Sequence, residues 1–354
     1  MKNALFALVL SAGAAMAGPK LAGGPIVVNV SQRTATVVWI VETDQATLHP
    51  PSGDAKVSPS LHVEKTTFAG LQPNTKYEFE AGPDHSKGSF KTAPAPGEPF
   101  SFVVYGDTRT RPDAHSAVIR QLLQHGVPDF VTFSGDSVAD GGDPSLWPIF
   151  FDIERDLLRQ TAFFPSLGNH EHHAPNYFEY FQQAKPYYSF NWGSAHFSVV
   201  DSDLGNVSPS KAARDTYWAE QTRWLEDDLA ANQKADFRFL VAHHPLYTAV
   251  RSRQGDNPHM TALAPMLEKY RLSAGLFGHD HNYQHYVKNG VHYIVSGGGG
   301  APLYDVDVPP PGITQKVASI ENFVSVKVNG KVAKVEAIAV DGKTIDMFEI
   351  SAGR

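Results

Sequence analysis

A chain of 354 residues is too long for one small domain and long enough for two, and its 42% apolar share gives each the material for a core. A formal net charge of −7 argues against a nucleic-acid or anionic-membrane surface, since both require a basic stripe. A small phosphorylated substrate stays open, because bound metal ions supply positive charge locally. With no cysteine and 16 histidines, disulfides are excluded, and any metal must be held by His, Asp, Glu or Asn.

The first 17 residues read as a secretory signal peptide. Lys2 is a short basic segment, Ala4 to Leu10 begin an apolar run, and Ala15-Met16-Ala17 fits a small-x-small cleavage site before Gly18. The run is shorter than the ~20 residues a bilayer requires, and no other segment is apolar enough to span one. The expectation is an exported protein, periplasmic or secreted.

Residues 18–93 read as all-β. Pro25 to Val30, Thr34 to Val41, His62 to Phe68, Lys76 to Ala81 and Gly88 to Thr92 alternate with Pro, Gly and Asn punctuation, as in a β-sandwich. Trp39 sits mid-strand and reads as core. The segment Leu71-x-Pro73-x-Thr75-x-Tyr77 resembles the corner of fibronectin type III domains, where a tyrosine hydroxyl bonds back to the chain.

Residues 94–99 form a stiff, Pro-rich linker, and a different pattern follows. Apolar runs at Phe100 to Val104, Phe130 to Phe133, Phe197 to Val200, Phe237 to Val241 and Leu276 to Phe277 alternate with helical periodicity. Asp113 to His125 carries Val118, Ile119, Leu122 and Leu123 on one face, with Gly126 placed to stop it. Tyr217 to Ala230 repeats the helical spacing. Such alternation indicates a layered α/β domain over 100–354. At its end Phe323 to Val328, Lys331 to Val340 and Lys343 to Ile350 are joined by Asn329-Gly330 and Asp341-Gly342, which predicts a three-stranded meander.

Five segments share one layout, an apolar run ending in a polar tip: Gly106-Asp107, Gly135-Asp136, Gly168-Asn169-His170-Glu171, His243-His244 and Gly278-His279-Asp280-His281. In α/β folds ligands bind beyond the carboxyl ends of strands, so the tips are expected to converge. Glycine before four of them allows sharp turns and close approach to an ion. Imidazole with carboxylate suits Zn, Fe or Mn, and one carboxylate can bridge two ions.

This ordered set resembles the calcineurin-like metallophosphoesterase superfamily, and within it the purple acid phosphatases, which carry a fibronectin-like N-terminal domain. The resemblance spans nearly all of the chain after residue 17, including Gly297 to Gly300. It implies a two-domain architecture: a fibronectin type III-like sandwich and a four-layer αββα catalytic domain. It also implies two transition-metal ions bridged by Asp136, one completed by Asn169, His243 and His279 and the other held by Asp107 and His281. His170 would face the phosphate and leaving group, either stabilising the transition state or protonating the leaving oxygen, or else only orienting the site. Two positions depart from the pattern. Purple acid phosphatases place a tyrosine where this chain has Ala139, and other members place a histidine where it has Arg109. A colourless enzyme is expected. Arg109 either holds a phosphate oxygen or forms a rim salt bridge.

The expected activity is hydrolysis of phosphate monoesters by a metal-activated water. A phosphodiesterase or nucleotidase on the same centre is the alternative, because loops set substrate choice. A binding module with a crippled metal site is the reading from another class. Arg251 and Arg253 read as a solvated loop, and Asp201 as structural.

Overall fold

The structure is a computed structural model that describes residues 18–353. The expected signal peptide lies outside the described residues. Strands in the first part are Lys20–Val28 (β1), Thr34–Leu48 (β2), Lys56–Ala69 (β3), Lys76–Ala81 (β4) and Ser86–Lys91 (β5). Next come Phe100–Tyr105 (β6), Phe130–Phe133 (β7), Ala162–Pro165 (β8), Tyr188–Trp192 (β9), Ala195–Val199 (β10), Phe237–Val241 (β11) and Ala274–Phe277 (β12). Tyr283–Lys288 (β13), Val291–Ser296 (β14), Thr314–Ala318 (β15), Asn322–Asn329 (β16), Val332–Ala339 (β17) and Thr344–Ser351 (β18) complete the set.

One sheet runs β18-β17-β16-β6-β7-β8-β1-β2-β3 and a second β15-β13-β14-β12-β11-β10-β9. In the centre of the first, β6, β7 and β8 are parallel; in the second, β10, β11, β12 and β14 are. Side-chain alternation explains the layering. Phe102 and Val104 of β6 enter a core shared with Phe197, Phe239, Val241 and Leu276 of the second sheet. Val103 and Tyr105 of the same strand face a core with Val118, Leu122, Trp147 and Phe150 from the helices Pro112–His125 and Trp147–Leu158. Leu240 and Phe277 face a third core with Leu225, Leu229 and Leu267 from Lys211–Ala231 and Ala264–Lys269. Three apolar cores therefore lie between four layers, helix–sheet–sheet–helix.

The expected helix at Asp113 to His125 is present, and the Gly126 N–H closes it onto the Leu122 carbonyl at 3.2 Å with a positive φ of 127°. The meander is present too: β16, β17 and β18 pair antiparallel, and β16 joins β6, closing one side of the first sheet.

The N-terminal region is β-rich, but its sheets are arranged differently from a free-standing sandwich. Strand β1 pairs in parallel with β8 through Val27 opposite Ala162, so β1, β2 and β3 extend the first sheet, while β4 and β5 form a separate hairpin. Ile26, Val38 and Ile40 join the helix-side core with Phe151, which supplies the physical reason: the apolar face of β1–β2 is buried against a helix of the α/β layer. Trp39 is half-buried and stands outside the three cores, although it reads as core in the sequence. The tyrosine corner is borne out: the Gln72 N–H donates to the Tyr77 hydroxyl at 2.8 Å, and the Tyr77 ring stacks on Phe90.

Candidate metal centre

The first sheet delivers Asp107 and Asp136 directly after β6 and β7, and Asn169 and His170 in the turn after β8. The second delivers His243 after β11 and His279 and His281 after β12. The tips are tied together as extensions of the ladders. The Asp107 N–H donates to the Gly135 carbonyl at 2.9 Å and the Gly278 N–H to the His243 carbonyl at 3.0 Å. Asp107, Asp136 and His279 all adopt left-handed backbone, with φ of 59°, 61° and 68°. Such a conformation costs a non-glycine residue roughly 1–3 kcal/mol and persists only where the surroundings enforce it. Here the glycines before these residues allow the enforcement: a Cβ on Gly278 would lie 2.4 Å from Asp107 Oδ2, and one on Gly135 2.7 Å from the Gly168 nitrogen.

The side chains expected as ligands are brought together. His243 Nε2 lies 3.0 Å from Asn169 Oδ1, 3.2 Å from His279 Nδ1 and 3.4 Å from Asp136 Oδ1. His279 Nδ1 is 3.2 Å from Asn169 Oδ1. His281 Nε2 lies 3.5 Å from Asp107 Oδ1. The His279 N–H donates to Asp107 Oδ2 at 2.9 Å, which couples the two sheets at the site itself.

Two of the three imidazoles, His243 and His281, are oriented by their other nitrogen, an arrangement typical of metal-binding histidines. His243 Nδ1 is 2.8 Å from the Ser134 carbonyl and His281 Nδ1 2.6 Å from the Pro302 carbonyl, so in both rings Nε2 keeps the lone pair that faces the cluster. His170 Nδ1 is held 2.7 Å from the Ala139 carbonyl, which turns its Nε2 toward the opening, 3.9 Å from Asp136 Oδ2.

The electrostatics call for a cation. Burial, then the charge of Asp136, push the Asp107 carboxyl well above the usual range. Burial also opposes a charged Asp136, yet the neighbouring His243 and His170, the His170 N–H and the Arg109 guanidinium hold it below the usual range. Two carboxylates in one dry pocket do not both ionise without positive charge beside them. Burial lowers His243, lowers His279 strongly, and pushes His281 down to about 4, leaving neutral rings with lone pairs to share. Asp107 Oδ1 is buried with no hydrogen-bond partner, an unmet demand of the kind a metal satisfies. The donor set of Asp136, Asn169, His243 and His279 thus fits a transition-metal ion.

Several contributors were missed in the sequence. Glu171, part of the Gly168-to-Glu171 segment but given no role, accepts from the backbone N–H groups of Asp136, Ser137 and Gly168 at 3.0, 2.6 and 2.7 Å. It fixes the loop that aims Asp136, and burial and the Asp136 charge push it up to about 7 against the pull of those three donors. His244 adjoins the expected ligands without being one of them; its ring lies 4.1 Å from that of His279, and ring nitrogens of His243, His244 and His279 lie within 4.8 Å of one another. The Gly297 to Gly300 run packs on the tip after β6, with a Cβ on Gly299 meeting the Gly106 carbonyl at 2.1 Å. No hydrophobic period marks such contacts. Arg251 pairs with Asp307 in solvent, as expected of a loop, while Arg253 reaches the Tyr304 hydroxyl at 3.0 Å, and Tyr304 stacks on His281 at 4.4 Å. Asp201 is structural, accepting from the Tyr217 hydroxyl at 2.6 Å and lying 3.2 Å from His173 Nε2.

A four-layer α/β fold with acid, amide and imidazole donors at the strand tips of both sheets defines the class of metal-dependent phosphoester hydrolases. The family model for calcineurin-like phosphoesterases matches residues 100–283, just over half the chain, and the chain belongs to that family. Tartrate-resistant acid phosphatase type 5 of Mus musculus is 28% identical over 247 residues, covering 59% of this chain and 74% of that protein. A probable inactive purple acid phosphatase 1 of Arabidopsis thaliana is 24% identical over 315 residues, 68% of this chain and 49% of that one. The purple acid phosphatase PPD1 from yellow lupin seeds has the same fold, with a TM-score of 0.70 at 18% identity over 94% of this chain and 74% of its own.

Proposed function

We propose that this chain is an exported phosphatase that hydrolyses phosphate monoesters at a transition-metal centre held by Asp107, Asp136, Asn169, His243, His279 and His281. The observation that carries this reading is the convergence of those six side chains from two sheets around two buried carboxylates, of which Asp107 Oδ1 has no hydrogen-bond partner. When bound, a transition-metal ion supplies Lewis acidity toward a phosphoryl oxygen and lowers the pKa of the water it holds. Everything else is work for the chain. Asp136 lies between the two groups of donors and serves both. His170, its Nδ1–H anchored on the Ala139 carbonyl, presents Nε2 to the leaving oxygen and, as the doubly protonated imidazolium, gives up the Nε2 proton there to become a neutral ring. Arg109 offers its guanidinium to a phosphoryl oxygen.

The function is tested by stripping the protein of metal and reloading it with Mn, Zn or Fe. Hydrolysis of a chromogenic phosphate monoester is then compared with that of its bis-ester. Faster turnover of the monoester is expected; preference for the diester would make the chain a phosphodiesterase or nucleotidase instead. Lack of turnover of either would favour a binding module.

Export rests on Lys2, the Ala4 to Leu10 run and the Ala15-Met16-Ala17 site; a mature N-terminus at Gly18, read by mass spectrometry, is the expected result. Among the described residues no helix is long and apolar enough to cross a membrane. The division into an N-terminal fibronectin-like unit of residues 18–93, a linker of 94–99 and a catalytic unit of 100–354 belongs to the same proposal. The tyrosine corner supports it.

A further inference from the structure

The donors form two overlapping groups that share Asp136, and the groups are unequal. Asn169, His243 and His279 complete one side. On the other side stand Asp107 and His281 with Arg109 against them, and Arg109 and Ala139 line one cleft beside this group. Neither side chain can donate a lone pair: a guanidinium carries only N–H donors, an alanine methyl has no polar atom, and the Ala139 carbonyl is engaged by His170 Nδ1 at 2.7 Å. Arg109 is also not turned away. Its Nε donates to Asp136 Oδ2 at 3.2 Å, its Nη2 lies 3.4 Å from His281 Nε2, and its side chain is only 14% exposed. These are the two atoms that an ion on this side would need. A guanidinium is permanently charged, so an ion placed there would meet both occupied donors and a like charge at contact distance.

The loop fixes this placement. The Thr108 N–H donates to the Asp136 carbonyl at 3.1 Å and its hydroxyl to the Ser137 carbonyl at 3.0 Å, so the residue before Arg109 is pinned to the segment carrying Asp136. Asp107 is not stranded by this. Ligand atoms of Asp107, Asp136 and His243 lie within 4.8 Å of one another, close enough to share an ion on the other side. The donors on the Arg109 side do not fit a second ion.

We propose that Arg109 is a built-in cation that takes the place of one metal: the chain holds a single transition-metal ion on the Asn169, His243 and His279 side, and the guanidinium neutralises Asp136 on the other. The proposal rests on the reading of this cluster as a metal centre. A phosphoryl group then lies between one ion and a planar guanidinium fork.

The test counts ions. Wild-type protein, Arg109→His and Arg109→Ala are stripped with chelator, equilibrated with excess Mn(II), desalted, and analysed by plasma mass spectrometry and electron paramagnetic resonance. The wild type is expected to keep one Mn(II) per chain with the six-line spectrum of an isolated ion. Arg109→His is expected to keep two, with the broadened spectrum of a coupled pair. Arg109→Ala, which opens the space without adding a ligand, is expected to take up a second ion at higher Mn(II) concentration. Two ions in the wild type would overturn the proposal, as would one ion in all three proteins. No ion in any of them, together with no phosphate release, would defeat the metal-centre reading itself, a result distinct from either.

Discussion

The two sheets bring unlike chemistry to a shared rim. Of the expected ligands, the first supplies acids and an amide, Asp107, Asp136 and Asn169; the second supplies only imidazoles, His243, His279 and His281. Neither half makes a metal site. The acids alone are buried carboxylates at odds with each other, and the imidazoles alone are neutral rings with nothing to balance a cation. Function is thus a property of how the sheets are stacked, and the stacking is set by the aromatic core between them. There Phe102 meets Phe197 and Phe239 edge-on at 5.3 and 5.4 Å, and Phe197 stacks on Phe239 at 4.9 Å.

The comparison can be broken most severely at the shared acid. Asp136→Asn removes the charge both donor groups rely on. Metal-supplied stabilisation of several kcal/mol corresponds to a loss on the order of a thousandfold in monoester turnover, with loss of bound metal as well. A variant that keeps most of its turnover would show that Asp136 is not the shared ligand. The next largest effect lies far from the tips. Phe102→Ala opens a cavity between the sheets and costs about 3–5 kcal/mol by urea unfolding, with weaker metal retention as the sheets lose their alignment. Metal affinity unchanged in the face of that destabilisation would separate the site from the packing.

Tyr77→Phe should cost about 1 kcal/mol, because it deprives the Gln72 N–H of its acceptor, and should leave metal content untouched since the corner lies outside both donor groups. The smallest effect is a pH signature. Burial pushes Asp280, between His279 and His281, up to about 6. Its unfolded value is near 4, so between pH ~4 and ~6 the folded metal-free chain holds a proton that the unfolded chain releases. The stability this group provides is present below pH ~4 and lost as pH rises through about 6. Asp280→Asn stays neutral and can still accept from Thr248 and Gln284, so the melting temperature of wild type relative to this variant should fall across that window. A constant offset would show that Asp280 titrates normally.

Much of the site was legible because strand tips carry a signature that does not depend on tertiary structure: an apolar run, a glycine and a polar residue. Strands β4, β7 and β11 begin and end where their apolar content says. The ends of β2 and β3 do not, since residues from Asp44 to Leu48 and from Lys56 to Ser60 pair with each other in solvent, and cross-strand hydrogen bonding leaves no hydrophobic trace. The attachment of β1 to β8 was hidden for another reason. A single bridge at Val27 and a helix packed over Ile26 are long-range events that a local pattern cannot report. Glu171 was visible as a letter and invisible as a part, because its three partners are backbone N–H groups.

The claim that both sheets grip one metal centre is tested most directly by anomalous diffraction from crystals of the reloaded protein. A peak within coordination distance of Asp136, His243 and His279 is the result this account requires. A fully loaded, active protein whose anomalous peaks lie away from those three side chains would contradict it.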